Sequence, residues 1–274
     1  MLATRFGHNR SEVSRNRALT EIEMRETAPS IFALEPHESR SARYTYVPTI
    51  DVVRGLAKHG FQPFHAGQSI SRIPGKSAFT KHMVRLRHAD TIAQGGSAEI
   101  VMVNSHDGTS SYQMMGGWFE FLCMNGLVRG DKADDIRVPH KGDIVNDVVQ
   151  GAHTLLGKLG HMNEVRAEWR GTLLSPDERM VFASAALQLR YDEGKAIVEP
   201  HQTLRTRRLD ERGQDLWTTF NVVQENLIRG GQNGRTADNR RATTREIKGI
   251  DQNIKLNRAL WTLAEGMAKL KNAA

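Results

Sequence analysis

From Phe79 to His88 the chain alternates in a way that only a β-strand accommodates. Strand geometry sends successive side chains to opposite faces. Lys81, Met83, Arg85 and Arg87 therefore share one face, and His82, Val84, Leu86 and His88 share the other. Between Arg72 and His88 there are five positive residues and no acid, so the strand brings a basic face to whatever sheet it joins. Flanking segments supply neighbours. Phe61 to Ser71 reads as extended, Ile73-Pro-Gly-Lys76 as a turn, and Ala98 to Asn104 as a strand ending in the turn His106-Asp-Gly108. Ahead of them, Ile50, Val53 and Ala57, with Val52 and Leu56 beside them, give an amphipathic helix capped by Thr49 and stopped by Gly60. This order predicts an α+β protein, an antiparallel sheet backed by helices.

Outside this region the signals turn helical. Residues 1–43 are a polar, arginine-rich arm in which Thr20-Glu-Ile-Glu23 is a capping box that starts a short helix. Residues 44–145 carry the sheet. Within them Ser111 to Val128 is ambiguous, because Met115, Phe119 and Leu122 have helical spacing but Gly116-Gly117 weakens a helix. Residues 146–274 are expected to be mainly helical and to pack on the sheet as one unit. A helix opens near Asp143. Ser175-Pro-Asp-Glu178 is a second capping box that starts a helix reaching about Arg190. Lys195 to Thr203 reads as irregular or extended, Gly213 to Ile228 as helix, and Arg229 to Lys248 as a Gly- and Arg-bearing loop. In the last helix Leu256, Leu260, Leu263, Met267 and Leu270 form a stripe that packs on the body of the protein or on a partner.

The 274 residues carry 38 Lys and Arg against 31 Asp and Glu, a net charge of +7, which favours polyanionic partners. The excess is unevenly placed: residues 201 to 258 hold twelve positive and seven negative groups. No run approaches ~18 uninterrupted apolar residues, so no transmembrane helix and no membrane partner is expected. Met1 to Arg10 has no apolar segment of a signal peptide, and the single cysteine, Cys123, fits a reducing compartment; a cytoplasmic location is the expectation.

Few motifs carry chemistry. Gly75-Lys76-Ser77 has the end of a phosphate-binding loop, but the required earlier glycine position is Ile70, so Lys76 reads as a basic turn residue. Gly230-Gly231-Gln-Asn-Gly234 offers backbone amides that could converge on an anion, with Arg229, Arg235, Arg240 and Arg241 adding charge; a mobile solvated loop is the competing reading. His106, Asp107 and His140 are weak candidates for a metal or an acid–base pair, since Asp107-Gly108 is also good turn chemistry. Cys123 in an apolar run reads as a packing residue. Tyr44 and Tyr46 adjoin basic residues, where they could stack on unpaired bases. No cofactor is implied, and no reaction is legible.

Four stretches carry a resemblance. They are Glu38-Ser-Arg-Ser-Ala-Arg-Tyr-Thr-Tyr-Val-Pro-Thr-Ile50; Asn104-Ser-His-Asp-Gly-Thr-Ser-Ser-Tyr-Gln113 with Cys123-Met-Asn-Gly-Leu-Val128; Arg137-Val-Pro-His-Lys-Gly-Asp-Ile-Val145; and Asp215-Leu-Trp-Thr-Thr-Phe-Asn-Val-Val-Gln-Glu-Asn-Leu-Ile-Arg-Gly-Gly231. Together they resemble the domain-of-unknown-function-932 family of plasmids and prophages, which implies a mobile-element setting and supplies no site residues. Tyr44-Thr-Tyr-Val-Pro, a short helix, Gly60-Phe61 and the strands that follow are similar to the opening of phage single-strand annealing proteins of the essential-recombination-function type. That likeness implies a helix-backed antiparallel sheet, self-assembly and a hold on single-stranded DNA.

Three functions follow as expectations. The first is a nucleic-acid-binding accessory protein, with single strands preferred, using Lys81, Arg85, Arg87, Arg229, Arg235, Arg240 and Arg241 on phosphates and Tyr44 or Tyr46 on bases. The second is a metal-dependent enzyme acting on nucleic acid or nucleotides, centred on His106, Asp107 and His140. The third is a protein-binding factor that counters a host system through the carboxy-terminal leucine stripe.

Overall fold

A computed structural model describes residues 12–38, 46, 48–71, 73–89, 96–110, 112–120, 125–128, 136–137, 144–159, 162–207 and 212–273. The chain divides into two compact units: residues 1–126 with 132–159, and residues 127–131 with 160–274. The protein is α+β, with the helices concentrated in its carboxy-terminal half.

The first unit is built on a sheet whose strands follow chain order. They are β1 (Glu12–Ser14), β2 (Phe61–Gln68), β3 (His82–His88), β4 (Gly96–Asn104), β5 (Gln113–Glu120) and β6 (Asn125–Val128), with β7 (Ile136–Arg137) also on β5. β1 to β5 pair antiparallel, and β3 lies between β2 and β4, with Leu86 opposite Pro63 and Ile100. The ambiguous stretch after Ser111 thus resolves as strand, with Gly116 and Gly117 opposite Ile100 and Glu99. Pairing with an already formed strand overrides the helical spacing of Met115 and Phe119.

The expected face of β3 makes the core. Val84 and Leu86 pack with Phe61, Ala66, Ile100 and Met102 beneath α1 (Glu21–Thr27), α2 (Thr49–Lys58) and α3 (Ile144–Leu159). α2 contributes Ile50, Val53 and Leu56, and α3 contributes Val148, Ala152 and Leu155. Each fully buried aliphatic side chain of this kind contributes roughly 1.5–3 kcal/mol relative to exposure. Part of the polar amino-terminal stretch belongs to this core: Leu19, Met24, Ala28 and Ile31 are buried in it. Thr20 caps α1 with the reciprocal bonds its sequence promised, Glu23 N donating to Thr20 Oγ1 at 3.2 Å and Thr20 N donating to Glu23 Oε2 at 3.0 Å.

The second unit is helical: α4 (Met162–Gly171), α5 (Pro176–Arg190), α6 (Pro200–Thr203), α7 (Leu216–Arg229) and α8 (Ile250–Ala273). Its centre is aromatic. Trp169 lies 4.5 Å from Trp261 and 5.8 Å from Phe220 by ring centroids, with Trp217 beside them. Ser175 caps α5 through the expected box, and Asp215 caps α7 by accepting from Thr218 N at 2.8 Å. The α8 stripe is mostly committed here. Leu256, Leu260 and Met267 are buried and Leu263 is half-buried, while Leu270 stays exposed. Within residues 229–248, β8 (Asn233–Arg235) and β9 (Arg241–Thr243) pair antiparallel as a hairpin. No helix among the described residues is long and apolar enough to cross a membrane.

Candidate nucleic-acid interface

The basic face of β3 does not meet solvent. Arg87 is 1% exposed and Arg85 8%. Both guanidinium groups converge on Glu99 of β4, with Nε of Arg85 2.6 Å from Oε2 and Nε of Arg87 2.8 Å from Oε1. Arg87 also lies over the Phe64 ring at 4.3 Å, and burial pulls its pKa below the ordinary guanidinium value. The alternation read from the sequence was correct, but this face is buried as well. The expectation that Arg85 and Arg87 hold phosphates is therefore corrected: they are internal cations that share the Glu99 carboxylate. Lys81, just before the strand, is half-buried, and its carbonyl accepts from Ser69 N at 2.7 Å.

A polar cluster lies on the helix-covered side of the same strand. His82 Nδ1 is 3.1 Å from the Thr80 carbonyl. A carbonyl only accepts, so Nδ1 carries the proton and Nε2 accepts from the Thr49 hydroxyl, 2.8 Å away. Asn104 Nδ2 donates to the same hydroxyl at 3.1 Å, and His106 Nε2 stands 3.4 Å from it. Thr49 was expected to cap α2. Instead Pro48 occupies that place, and the Thr49 side chain serves this network. A hydroxyl bonded to an imidazole has the form of a nucleophile with its base. Here Thr49 has no exposed surface and His82 is 1% exposed. Burial, reinforced by His106, pushes the His82 pKa down to about 3. The pair is a neutral hydrogen-bonded link between helix and sheet.

His106 and Asp107 are part of the same neighbourhood. His106 is fully buried, and its ring lies 4.9 Å from those of His82 and Tyr46. Asp107 accepts from Thr109 N at 3.0 Å and from Thr109 Oγ1 at 2.6 Å, and pairs with Lys76 at 3.3 Å. Burial raises the Asp107 pKa, but these bonds outweigh it and hold the carboxylate below its ordinary value. Asp107 is thus a turn residue, and Lys76 is its partner. No group of three His, Cys, Asp or Glu among the described residues could hold a metal ion. His140, Tyr44 and Cys123 lie outside the described residues. Tyr46 is half-buried; its hydroxyl donates to the Ala33 carbonyl and its ring packs toward His106, so it is committed to the fold rather than offered to a base.

Among the candidate phosphate-binding residues, the exposed cations are in the second unit. Arg229 pairs with Glu225 at 2.7 Å in the last turn of α7. Arg235, Arg240 and Arg241 are exposed, and none forms an ion pair among the described residues. Arg245 and Lys248 follow, also exposed. The glycine loop does not present its amides to an anion, as one reading of the sequence had it. Gly230 N bonds Asn226 O at 3.2 Å, Gly231 N bonds Thr244 O at 2.8 Å, and Gln232 N bonds Thr244 Oγ1 at 2.9 Å. These bonds fasten the hairpin instead. Arg235 N donates to Ile197 O at 2.8 Å, and Gln202 Nε2 donates to Asn233 O at 2.9 Å. Only glycine fits at 234, because a Cβ there would stand 1.7 Å from Ile197 O. The result is an anchored strand pair with arginines on its outer face, bordering a groove of 590 Å³ lined by Asn233, Gly234, Arg235, Arg241, Ala242 and Thr243.

The chain is similar to known proteins along most of its length. The family model described as a domain of unknown function (DUF932) matches residues 36–261. The chain is 47% identical over 266 residues to UPF0380 protein YafZ of Escherichia coli (strain K12), covering 97% of each chain. It is 47% identical over 264 residues to UPF0380 protein YfjQ of the same organism, covering 96% of each. No solved structure matches. With most of its length matched by the family model and near-complete coverage of both relatives, this chain belongs to the DUF932 family.

Proposed function

We propose that this protein is a nucleic-acid-binding accessory protein of mobile elements, holding the phosphate backbone through the β8–β9 hairpin. The observation that carries this reading is the exposure of Arg235, Arg240 and Arg241 without carboxylate partners on a strand pair fixed by main-chain bonds. Exposed guanidinium groups release counterions from a polynucleotide when they replace them, and this release drives sequence-independent binding. The surrounding segment supports it, since residues 201 to 258 carry twelve positive and seven negative groups. Arg85 and Arg87 have no part in this contact. Single strands are the preferred ligand, in line with the likeness of the Tyr44-Thr-Tyr-Val-Pro opening to phage single-strand annealing proteins.

The test is a panel of labelled single- and double-stranded DNA and RNA of equal length, mixed with the whole chain at ~50 mM salt and scored for capture and for strand annealing. Capture with single strands held most tightly is the expected outcome. Failure to retain any of the four polymers overturns the proposal.

A further inference from the structure

Arg235 and Arg241 are directly opposed register partners in the β8–β9 hairpin, flanked on the same face by the opposed pair Asn233 and Thr243. Directly opposed side chains in an antiparallel pair have Cβ atoms ~5 Å apart, and like charges there are destabilising. The usual remedy is a carboxylate between them. Asp238 in the connecting turn makes no ion pair with either, and neither arginine has any other among the described residues. The hairpin nonetheless holds them together. Arg235 is steadied by its own turn, with Nη1 donating to the Asn239 carbonyl at 2.9 Å and to Asn239 Oδ1 at 3.1 Å. The backbone beneath is locked by Arg235 N on Ile197 O at 2.8 Å and by the close seat of Gly234.

We infer that the opposed pair Arg235 and Arg241 is a phosphate clamp, a two-guanidinium seat for one phosphate group on the outer face of the hairpin. This deepens, and rests on, the nucleic-acid reading above. A single phosphodiester carries one negative charge and places it between two positive ones, turning a repulsive pair into a bridged one. Guanidinium suits this because its planar fork donates two parallel hydrogen bonds to phosphate oxygens. Residues 233–243 contain no aromatic side chain. The clamp therefore reads the backbone and is indifferent to base sequence. Arg240, exposed beside it, supplies a further charge for the adjoining phosphate.

The experiment compares the whole chain with Arg235→Gln/Arg241→Gln and with Arg235→Lys/Arg241→Lys. Each is titrated with a phosphodiester homopolymer, with its neutral methylphosphonate counterpart, and with inorganic pyrophosphate, and the melting temperature of each is recorded. The glutamine pair should lose ~10-fold or more in homopolymer affinity, as removal of charge-assisted bonds demands, while its ligand-free melting temperature shows that the chain is still folded. The lysine pair should fall between, and the neutral polymer should not bind the unaltered chain. Unchanged homopolymer affinity in the glutamine pair overturns the clamp and leaves the nucleic-acid reading standing. Pyrophosphate stabilising the unaltered chain but not the glutamine pair, with no polymer bound, supports the clamp and removes that reading. No response to either ligand removes both.

Discussion

Acidification should weaken the first unit through two imidazoles that the fold keeps neutral. Burial, with His106 adding repulsion, takes His82 from its ordinary pKa of 6.5 to about 3. His65 is also pushed to about 3, by burial first and then by Arg85 and Arg87. Its Nδ1 meets Ser14 Oγ at 2.7 Å, while its Nε2 is shut off from solvent without a hydrogen-bond partner. Between these values and 6.5 the unfolded chain binds protons that the folded chain refuses. The stabilisation from neutral burial is thus complete above pH ~6.5 and is lost as pH falls toward ~3. Linkage gives a loss of roughly 2 kcal/mol for each imidazole on going from pH ~7.5 to ~5, about 4 kcal/mol for the pair. That is a large share of the ~5–15 kcal/mol by which domains are usually stable. The assay is urea unfolding followed by circular dichroism, because three of the four tryptophans, Trp169, Trp217 and Trp261, weight fluorescence towards the other unit. His82→Gln should flatten the pH dependence by about half, and adding His65→Gln should remove most of the rest. A proton NMR titration placing the His82 pKa near 6 in the folded chain, or an unaltered pH slope in the double variant, refutes the reasoning.

Other consequences follow from single positions. Glu99→Gln removes the carboxylate that the buried Arg85 and Arg87 share and should cost ~3–5 kcal/mol in urea unfolding. Gly234→Ala forces a Cβ onto the Ile197 carbonyl, where 1.7 Å is left; it should destabilise the second unit by ~1–3 kcal/mol and weaken polynucleotide binding together with it. Asp215→Ala removes the α7 cap and should cost ~1 kcal/mol without altering affinity at the hairpin, as read by melting temperature and titration.

The elements with strong local signals were legible. Thr20 and Ser175 formed the capping boxes that their spacing to Glu23 and Glu178 implied, and the alternating run is a strand over His82–His88, though Phe79 belongs to a 3-10 turn and Lys81 precedes the strand. Legibility failed where a long-range partner decided the outcome. Arg85 and Arg87 looked like surface cations because no acid falls between Arg72 and His88; Glu99 reaches them through register. Thr49 looked like a cap because its role is set by His82 and Asn104, far along the chain. Met24, Ala28 and Ile31 already have the spacing of a buried stripe, which Pro29 and the surrounding charges obscured. The hairpin at 233–243 has strands of three residues each, too short to alternate visibly, so its glycines and arginines read as a loop. His140 and Tyr44 lie outside the described residues.

The account depends most directly on the hairpin arginines meeting phosphates. The measurement is the slope of log affinity against log salt for a single-stranded homopolymer, in the unaltered chain and in Arg235→Gln/Arg240→Gln/Arg241→Gln. Each phosphate neutralised on a single strand contributes a slope of ~0.7, so the triple variant, which loses the clamped phosphate and the adjoining one, should be shallower by about 1.4. Parallel lines for the two proteins, or a flat line for the unaltered chain, would contradict it.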